Sequence, residues 1–357
     1  MTSFKVSVQD YDHKFPRFLE PSITGHYSIN GEREFLDSDT HIKYYCPPSN
    51  PKHVFMDLKK GKATTSEKDS LLEEKLDNIL QWILLHKHEA IEENKQRISA
   101  DFICYRGHMT LLFCTPYENR EDWKVAAIKF QHSIYLCPFR TDAKRKEILN
   151  QTERQREMGH WGYKFEQHLM SDSPNGKPNT EAPLNENEEF SCVFRSRIAD
   201  HMLLYAAEVD GVADPIKGLK ANNLVELKTS RLIENPNQDR NFKRFKLVKW
   251  WAQSYLAGIP RIICGFRDDD GVVRKIEEYE TLKLHHIAQG LWQPNVCMNF
   301  CAHFFTFVKS VMKESNKDMV YVFSWRPKED VTYWTEGRDS PYYFLPEWYM
   351  EEIFKYN

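Results

Sequence analysis

Acidic residues occur in two short segments whose other residues are typical of buried β-strands. Residues 203–210 read Leu-Leu-Tyr-Ala-Ala-Glu-Val-Asp, and residues 224–228 read Leu-Val-Glu-Leu-Lys. Because side chains alternate between the faces of a strand, Glu208 and Asp210 share one face, as do the glutamate and lysine of the second segment. If the two strands pair, three carboxylates and one ammonium meet in a small volume, where the excess negative charge is costly to bury. The two segments therefore predict a site for a hard divalent cation, which carboxylate oxygens bind well.

These charges also have a simpler interpretation. When either segment is considered alone, a solvent-exposed edge strand explains its charges as well as a buried metal site does. The flanking apolar residues favour burial, and a second charged strand with Glu226 and Lys228 makes coincidence a weaker explanation. An aspartate followed by Glu-x-Lys is the order that PD-(D/E)xK nucleases use beside a scissile phosphate. Asp210, Glu226 and Lys228 therefore indicate a metal-dependent nuclease.

Three further polar residues have two interpretations each. Glu166 ends the segment Gly-Tyr-Lys-Phe-Glu and is either a surface charge or a fourth acidic ligand. Gln253 lies in a largely apolar helix and is either a satisfied core amide or a contact for a phosphate or the attacking water. Arg106 ends an apolar run and either binds a terminal phosphate or pairs with a core carboxylate. The residue types alone leave all three choices open.

The elements that must position these residues begin with a proline-rich stretch. Residues 1–65 contain five prolines and predict irregular chain that wraps around the body of the protein. Leucine and isoleucine at helical spacing predict one amphipathic helix from about Ser66 to Gln96. The next apolar runs predict an antiparallel meander of strands at Phe102–Arg106, Thr110–Thr115, Val125–Phe130 and Ser133–Leu136.

The second half of the chain alternates helices with strands. A helix is predicted over Ala143–Gln167, followed by a flexible loop at about residues 171–189, which are rich in proline and asparagine. After the charged strands, the pattern predicts these elements: a helix at Phe242–Leu256, a strand at Arg261–Phe266, a mostly helical stretch at Glu280–Lys313 and strands in the tail from Val320. We therefore expect a mixed α/β fold in which residues 1–357 form a single domain.

The composition excludes several classes of protein. The 357 residues carry a net charge of −3, which argues against a general nucleic-acid coat protein but allows a local basic channel. The eight cysteines include no CxxC pair, and several lie in apolar runs, so we expect a reducing compartment, nucleus or cytosol. The N-terminus lacks the apolar stretch of a signal peptide, and no run approaches eighteen apolar residues, so no membrane association is expected.

Four separated motifs give the chain a specific resemblance. The segments 162–166 (GYKFE), 208–210 (EVD), 226–228 (ELK) and 249–253 (KWWAQ) together resemble the eukaryotic DXO family of decapping exoribonucleases. The match runs in order from about Ser28 to Trp348. It implies an enlarged PD-(D/E)xK nuclease core of two largely antiparallel or mixed sheets with surrounding helices.

The resemblance also implies an activity at RNA 5′ ends. Members of that family remove incomplete caps and NAD caps, hydrolyse 5′-triphosphate ends to monophosphates, and in some cases digest RNA from the 5′ end. Members are relatives of a partner of a nuclear 5′–3′ exoribonuclease, so the resemblance implies nuclear residence, with cytoplasm as the alternative, and a monomer. Two other functions stay open: a non-catalytic RNA-end binder that stabilises an exonuclease, and a PD-(D/E)xK nuclease that acts on DNA.

Site residues are carried over motif by motif. Glu166, Glu208, Asp210 and Glu226 would bind Mg²⁺ or Mn²⁺, two ions being expected, with the carbonyl of Leu227 completing the shell. Lys228 and Gln253 would contact the scissile phosphate or the nucleophile, so that the expected catalytic set is Asp210, Glu226, Lys228 and Gln253. The expected substrate contacts also include Glu208 and the residues Arg33, Glu74, Tyr105, Arg106, Gly107 and Ser191. Ser191 stands where the resemblance predicts a cysteine in vertebrate relatives.

Overall fold

Two sheets carry most of the chain in this computed structural model, which describes residues 3–92 and 97–355. Their strands are β1 Ser3–Phe4, β2 Phe18–Ile29, β3 Phe35–Leu36, β4 Tyr44–Tyr45, β5 Met56–Asp57, β6 Phe102–Tyr105, β7 Trp123–Phe130, β8 Ser133–Phe139, β9 Met170–Ser171, β10 Glu189–Ile198, β11 His201–Glu208, β12 Gly211–Val212, β13 Leu224–Arg231, β14 Arg261–Arg267, β15 Val272–Glu280, β16 Asn316–Trp325 and β17 Val331–Glu336.

Helices surround the sheets and fill the space between them. They are α1 Val8–Tyr11, α2 Asp77–Leu85, α3 Lys87–Ala90, α4 Arg106–Cys114, α5 Asp142–Leu149, α6 Glu153–Leu169, α7 Pro236–Asn241, α8 Leu247–Leu256, α9 Leu284–Ile287, α10 Pro294–Val311 and α11 Glu347–Glu352. A π-helical turn, Phe242–Lys246, leads directly into α8. Among the described residues, no helix is both long and apolar enough to span a bilayer.

Both sheets are mixed, as expected. Within the described residues, the larger sheet has the order β1-β17-β16-β7-β8-β6-β11-β10-β2-β3, and the smaller has the order β5-β15-β14-β13-β12-β4-β9. Most neighbours are antiparallel, but β6 runs parallel to both β8 and β11, β13 runs parallel to β14, and β12 runs parallel to β4. The predicted fold class is therefore confirmed.

The apolar core has three parts that follow the faces of the sheets. The largest part lies between the sheets and contains α4, α8 and α10 together with inward-facing residues of both sheets, such as Tyr205 and Cys264. A second part covers the other face of the larger sheet with α2 and α11. A third part packs α6 against the outer face of the smaller sheet. The single-domain interpretation stays a prediction.

The two charged segments lie in different sheets, so strands β11 and β13 do not pair with each other. Strand β11 ends at Glu208 in the larger sheet, and the chain then crosses to the smaller sheet, where β12 pairs with the start of β13 through Gly211 opposite Val225. Asp210 lies in the crossing segment immediately before β12. The carboxylates therefore meet where the chain passes between the sheets.

The predicted strand at Thr110–Thr115 is wrong, because these residues continue helix α4 and the turn that follows it. Met109, Leu112 and Phe113 recur at helical spacing and are completely buried in the central core. A short apolar run has no clear period, and the helix was missed for that reason. The predicted all-antiparallel meander is also wrong, because β6 pairs with β8 in parallel. The β7–β8 pair is antiparallel, as expected.

Several predicted boundaries also differ. The structure has α2 and α3 instead of one helix from Ser66 to Gln96; residues 66–76 form an irregular strap, and residue 96 lies outside the described part. The helix expected over 143–167 is two helices, because Thr152 starts α6 with a capping box. The proline-rich N-terminal stretch contains the twelve-residue strand β2 and is therefore not wholly irregular. Residues 172–188 carry no helix or strand, as the predicted loop implies, while 171 and 189 belong to strands.

Candidate metal and phosphate site

Strand β13 supplies a glutamate and a lysine from one face. Val225 and Leu227 point to α6 on the outer face of the smaller sheet, so Glu226 and Lys228 point to the inner face. The side chain of Glu226 is only 2% exposed, and its Oε1 accepts a hydrogen bond of 2.5 Å from Nζ of Lys228. The predicted sharing of a face by these two residues is confirmed.

Arg106 gives Glu226 a second cationic neighbour. It is the first residue of α4, is 9% exposed, and its guanidinium lies 3.5 Å from Oε2 of Glu226. Burial by itself would raise the pKa of Glu226, but Lys228 and Arg106 hold that pKa below its ordinary value. Of the two interpretations left open, the structure therefore shows the pairing with a core carboxylate. Nε of Arg106 is buried and has no hydrogen-bond partner among the described residues, so one donor remains for another ligand.

Asp210 is fixed by the backbone of the neighbouring strand. Its Oδ2 accepts a hydrogen bond from the N–H of Leu227, which places the carboxylate beside β13. Burial and the negative charge of Glu226 raise the pKa of Asp210 to about 7, although Lys228 opposes them. The role of the Leu227 carbonyl as a metal ligand stays a prediction.

Glu208 lies at the end of β11, opposite Ser191 on β10. Its side chain is exposed to solvent in the cleft, but the protein around the cleft leaves the carboxylate less hydrated than it would be in free solution. This desolvation, with the charges of Glu189 and Asp210, raises the pKa of Glu208 to about 8. Ser191 is 5% exposed and lies between Glu208 and Tyr27, its partners on the two neighbouring strands.

Glu166 comes from a different layer of the fold. Trp161, Phe165 and Leu169 recur at intervals of four residues and bury one stripe of α6 against the smaller sheet. This packing directs the part-buried Glu166 towards the junction, where desolvation and the charges of Asp210 and Glu208 raise its pKa well above the ordinary value. The expected grouping of Glu166 with the strand carboxylates is therefore present.

The start of α4 lies next to this cluster. Tyr105 precedes the helix, and Gly107 in its first turn is exposed, with nothing within 4 Å of where a Cβ would be. The first N–H groups of a helix have no intrahelical acceptors and favour anions. These two residues and Arg106 thus form a surface that suits a phosphate.

Arg33 and Glu74 form an ion pair at one end of the cleft. Both ends of the Glu74 carboxylate accept hydrogen bonds from the Arg33 guanidinium, at 2.5 and 2.6 Å. Arg33 also contacts Glu189 at 2.7 Å, and its backbone φ of 64° is the left-handed conformation that non-glycine residues seldom adopt. Gln253 is partly exposed on α8, which packs against α4, and no hydrogen bond joins it to the carboxylates in the described residues.

The structure adds residues that the sequence did not single out. Glu189 follows the same alternation as Ser191, so the pattern of β10 contained a signal for it. Lys68 in the irregular strap contacts Glu189 at 2.6 Å and had no sequence signal. Tyr163 lies near Glu166 and Glu208, and burial together with these two charges raises its pKa. Tyr163 also lines a cavity of about 370 Å³ that reaches Glu166 and Asp210.

The donor chemistry fits a hard cation. Three of the four carboxylates have raised pKa values, so the cluster holds more negative charge than Lys228 and Arg106 offset. Carboxylate oxygens in such a site suit Mg²⁺ or Mn²⁺. Within residues 3–92 and 97–355, however, no three His, Cys, Asp or Glu side chains already form a closed metal-binding group.

The chain is similar to known proteins over most of its length. The family model described as RAI1 like PD-(D/E)XK nuclease matches residues 19–350. The decapping and exoribonuclease protein of Rattus norvegicus is 36% identical over 99% of this chain and 90% of its own length, and the human protein of the same name is 37% identical over 96% and 88%. The crystal structure of S. pombe Rai1 in complex with 3′-FADP is 26% identical, covers 92% of this chain and 98% of its own, and has a TM-score of 0.75.

Proposed function

Because the chain belongs to the RAI1-like PD-(D/E)XK nuclease family, we propose that it is a metal-dependent hydrolase of RNA 5′ ends that acts in cap quality control. Its substrates would be RNAs with incomplete caps, NAD caps or 5′-triphosphates. Digestion of the remaining RNA in the 5′–3′ direction would be a further activity of the same site.

The observation that carries this proposal is the excess of carboxylates at the junction of the sheets. Glu166, Glu208, Asp210 and Glu226 converge from α6, β11, the crossing segment and β13. In the described part of the chain, Glu226 is the one among them whose charge is matched by contacts with Lys228 and Arg106. A protein that only binds RNA would gain nothing from clustered carboxylates, because they repel phosphates. A divalent cation reverses that repulsion.

The four carboxylates would hold Mg²⁺ or Mn²⁺, and two ions are our expectation. When bound, such ions activate water and stabilise charge on phosphoryl oxygens. The 2.5 Å contact keeps Lys228 beside Glu226, where the ammonium can neutralise charge that develops on the scissile phosphate. Arg106 lies beside Glu226 at the start of α4, where its guanidinium would set the position of the RNA 5′ end. Gln253 would orient the attacking water.

Other features of this proposal come from the resemblance alone. Nuclear residence, with cytoplasm as the alternative, a monomeric state and association with a nuclear 5′–3′ exoribonuclease stay predictions.

A product assay tests the proposal. RNAs that differ only at the 5′ end (triphosphate, unmethylated cap, mature cap, NAD cap, monophosphate) are incubated with Mg²⁺ or Mn²⁺, and the released groups are resolved. We expect release of pyrophosphate, a cap dinucleotide or NAD, and loss of this release in Glu226→Gln. Glu157→Gln, which changes a partly buried glutamate of helix α6 that pairs with Arg154, is the matched control and keeps full activity.

Two results would contradict the proposal. If RNA binds tightly but no 5′ group is released, the chain is a non-catalytic RNA-end binder. If single-stranded DNA is cleaved faster than RNA, the chain is a DNA nuclease instead.

A further inference from the structure

Lys68 lies outside every motif of the chain, yet the structure holds its ammonium at the edge of the carboxylate site. Its Nζ is 2.6 Å from Oε1 of Glu189 and 3.5 Å from Oε2 of Glu74. Its backbone N–H donates to Glu186. Two residues earlier in the strap, the backbone of Ser66 forms hydrogen bonds with Leu184 and Glu186. Lys68 is therefore a positioned side chain rather than a freely moving surface lysine.

The path from Lys68 to the cluster is short. Glu189, its nearest partner, lies two residues from Ser191 on β10 and shares its face, and Ser191 is directly opposite Glu208. Burial and the charge of Glu189 raise the pKa of Glu208, while the positive charge of Lys68 opposes them. The Glu189 side chain therefore lies between the Lys68 ammonium and the carboxylate cluster.

Arg33 is the other cation of this region, but its donors are already used. Nε and NH2 donate to Glu74, and NH1 contacts Glu189 and donates to the carbonyl of Asn187. The Arg33 side chain is 13% exposed, whereas that of Lys68 is 26% exposed. An ammonium has three donors, and among the described residues Lys68 has one close partner, Glu189, and one at 3.5 Å, Glu74, so it retains a donor for an incoming anion.

We propose that Lys68 contacts a backbone phosphate of the bound RNA. This assignment rests on the proposed function, because it requires RNA in the cleft. A phosphate oxygen would replace Glu74, the more distant of the two carboxylates, as the second partner of the ammonium. The 2.6 Å contact with Glu189 would keep the lysine in place.

RNA binding tests this assignment directly. Fluorescence anisotropy of a labelled, single-stranded, 5′-monophosphate RNA is measured in EDTA as a function of K⁺ concentration. The parent is Asp210→Asn, which lowers repulsion of the RNA and does not hydrolyse it. Loss of one phosphate contact from a single strand lowers the slope of log Kd against log[K⁺] by about 0.7, which corresponds to about eightfold weaker binding at about 0.05 M K⁺.

We expect this loss in Lys68→Gln and recovery of the slope in Lys68→Arg. Lys62→Gln is the matched control, because Lys62 lies in the same part of the chain and pairs with Glu67 on the surface. Glu189→Gln distinguishes a phosphate contact of Lys68 from an ion pair that only holds the strap to β10. It removes the partner but leaves the cation, so a phosphate contact predicts an unchanged slope and equal or tighter binding.

Two outcomes would overturn the assignment. An unchanged slope in Lys68→Gln shows that the lysine touches no phosphate. Equal weakening in Lys68→Gln and Glu189→Gln, with both slopes unchanged, shows that the ion pair only clamps the strap to β10. If the unsubstituted chain binds RNA but releases no 5′ group, the proposed function fails while the slope still decides the role of Lys68. Absence of RNA binding in the presence of Mg²⁺ overturns both.

Discussion

Neutralising one carboxylate of the cluster should stabilise the metal-free protein while it abolishes turnover. Asp210→Asn keeps an oxygen that can accept the hydrogen bond from Leu227, but it removes one negative charge from the group. The pKa of Asp210 is raised from 3.8 to about 7 in the folded state. Each pKa unit corresponds to about 1.4 kcal/mol, so charging this carboxylate lowers the free energy of unfolding by about 4 kcal/mol at most. Solvent in the cleft reduces the expected effect to about 2 kcal/mol.

The sign of the pH dependence follows from the raised pKa. Below pH 3.8 the carboxyl is protonated in both states, so Asp210 carries no penalty there. As pH rises towards 7 the unfolded state loses its proton first, and the folded state loses stability relative to it. The advantage of Asp210→Asn should therefore be small at about pH 4.5 and should reach its full size above pH 7.

Urea unfolding in EDTA at several pH values measures this advantage. Asp318→Asn is the matched control, because Asp318 is exposed and distant in sequence from the cluster. Addition of Mg²⁺ should make the unsubstituted protein more stable than Asp210→Asn, since a ligand that binds only the folded state stabilises the protein that binds it. The reasoning is refuted if Asp210→Asn is less stable than the unsubstituted protein in EDTA at pH 8, or if the difference does not change with pH.

Three other perturbations test the same site. Arg106→Ala should lower the free energy of unfolding by about 3–5 kcal/mol, because it leaves the buried Glu226 without one of its two cations. Urea unfolding measures this loss, and a value below about 1 kcal/mol would show that Lys228 alone stabilises the charge of Glu226. Gly265→Ala should cost about 1–3 kcal/mol and reduce turnover, because its Cβ would lie 2.5 Å from Phe165 and displace the helix that carries Glu166; normal turnover in a folded variant would contradict this. Apparent Mg²⁺ affinity, measured by calorimetry, should weaken as pH falls from about 8.5 to about 6. The reason is that Asp210 and Glu208, with pKa values of about 7 and 8, take up protons over this range. An affinity independent of pH would show that these two carboxyls are not ligands.

The sequence alone identified the charged positions, because their signal is local. Alternation along a strand places Glu226 and Lys228 on one face whatever the rest of the fold does, and the apolar neighbours predict that this face is buried. The order of the four motifs then predicted the family, and the order of helix and strand patterns predicted the mixed α/β class. Helix α4 was misread because its apolar residues occur in a run too short to show a period.

Only the tertiary structure decided which charges meet. The crossing of the chain at Asp210 brings the end of a strand in one sheet to the start of a strand in the other, and no local pattern encodes that geometry. The pairing of Arg106 with Glu226 joins residues 120 positions apart, and Lys68 reaches Glu189 over 121. Such contacts depend on the packing of distant elements. The sequence could therefore name the carboxylates, Lys228 and Arg106 but not decide which of them pair, and Lys68 had no sequence signal.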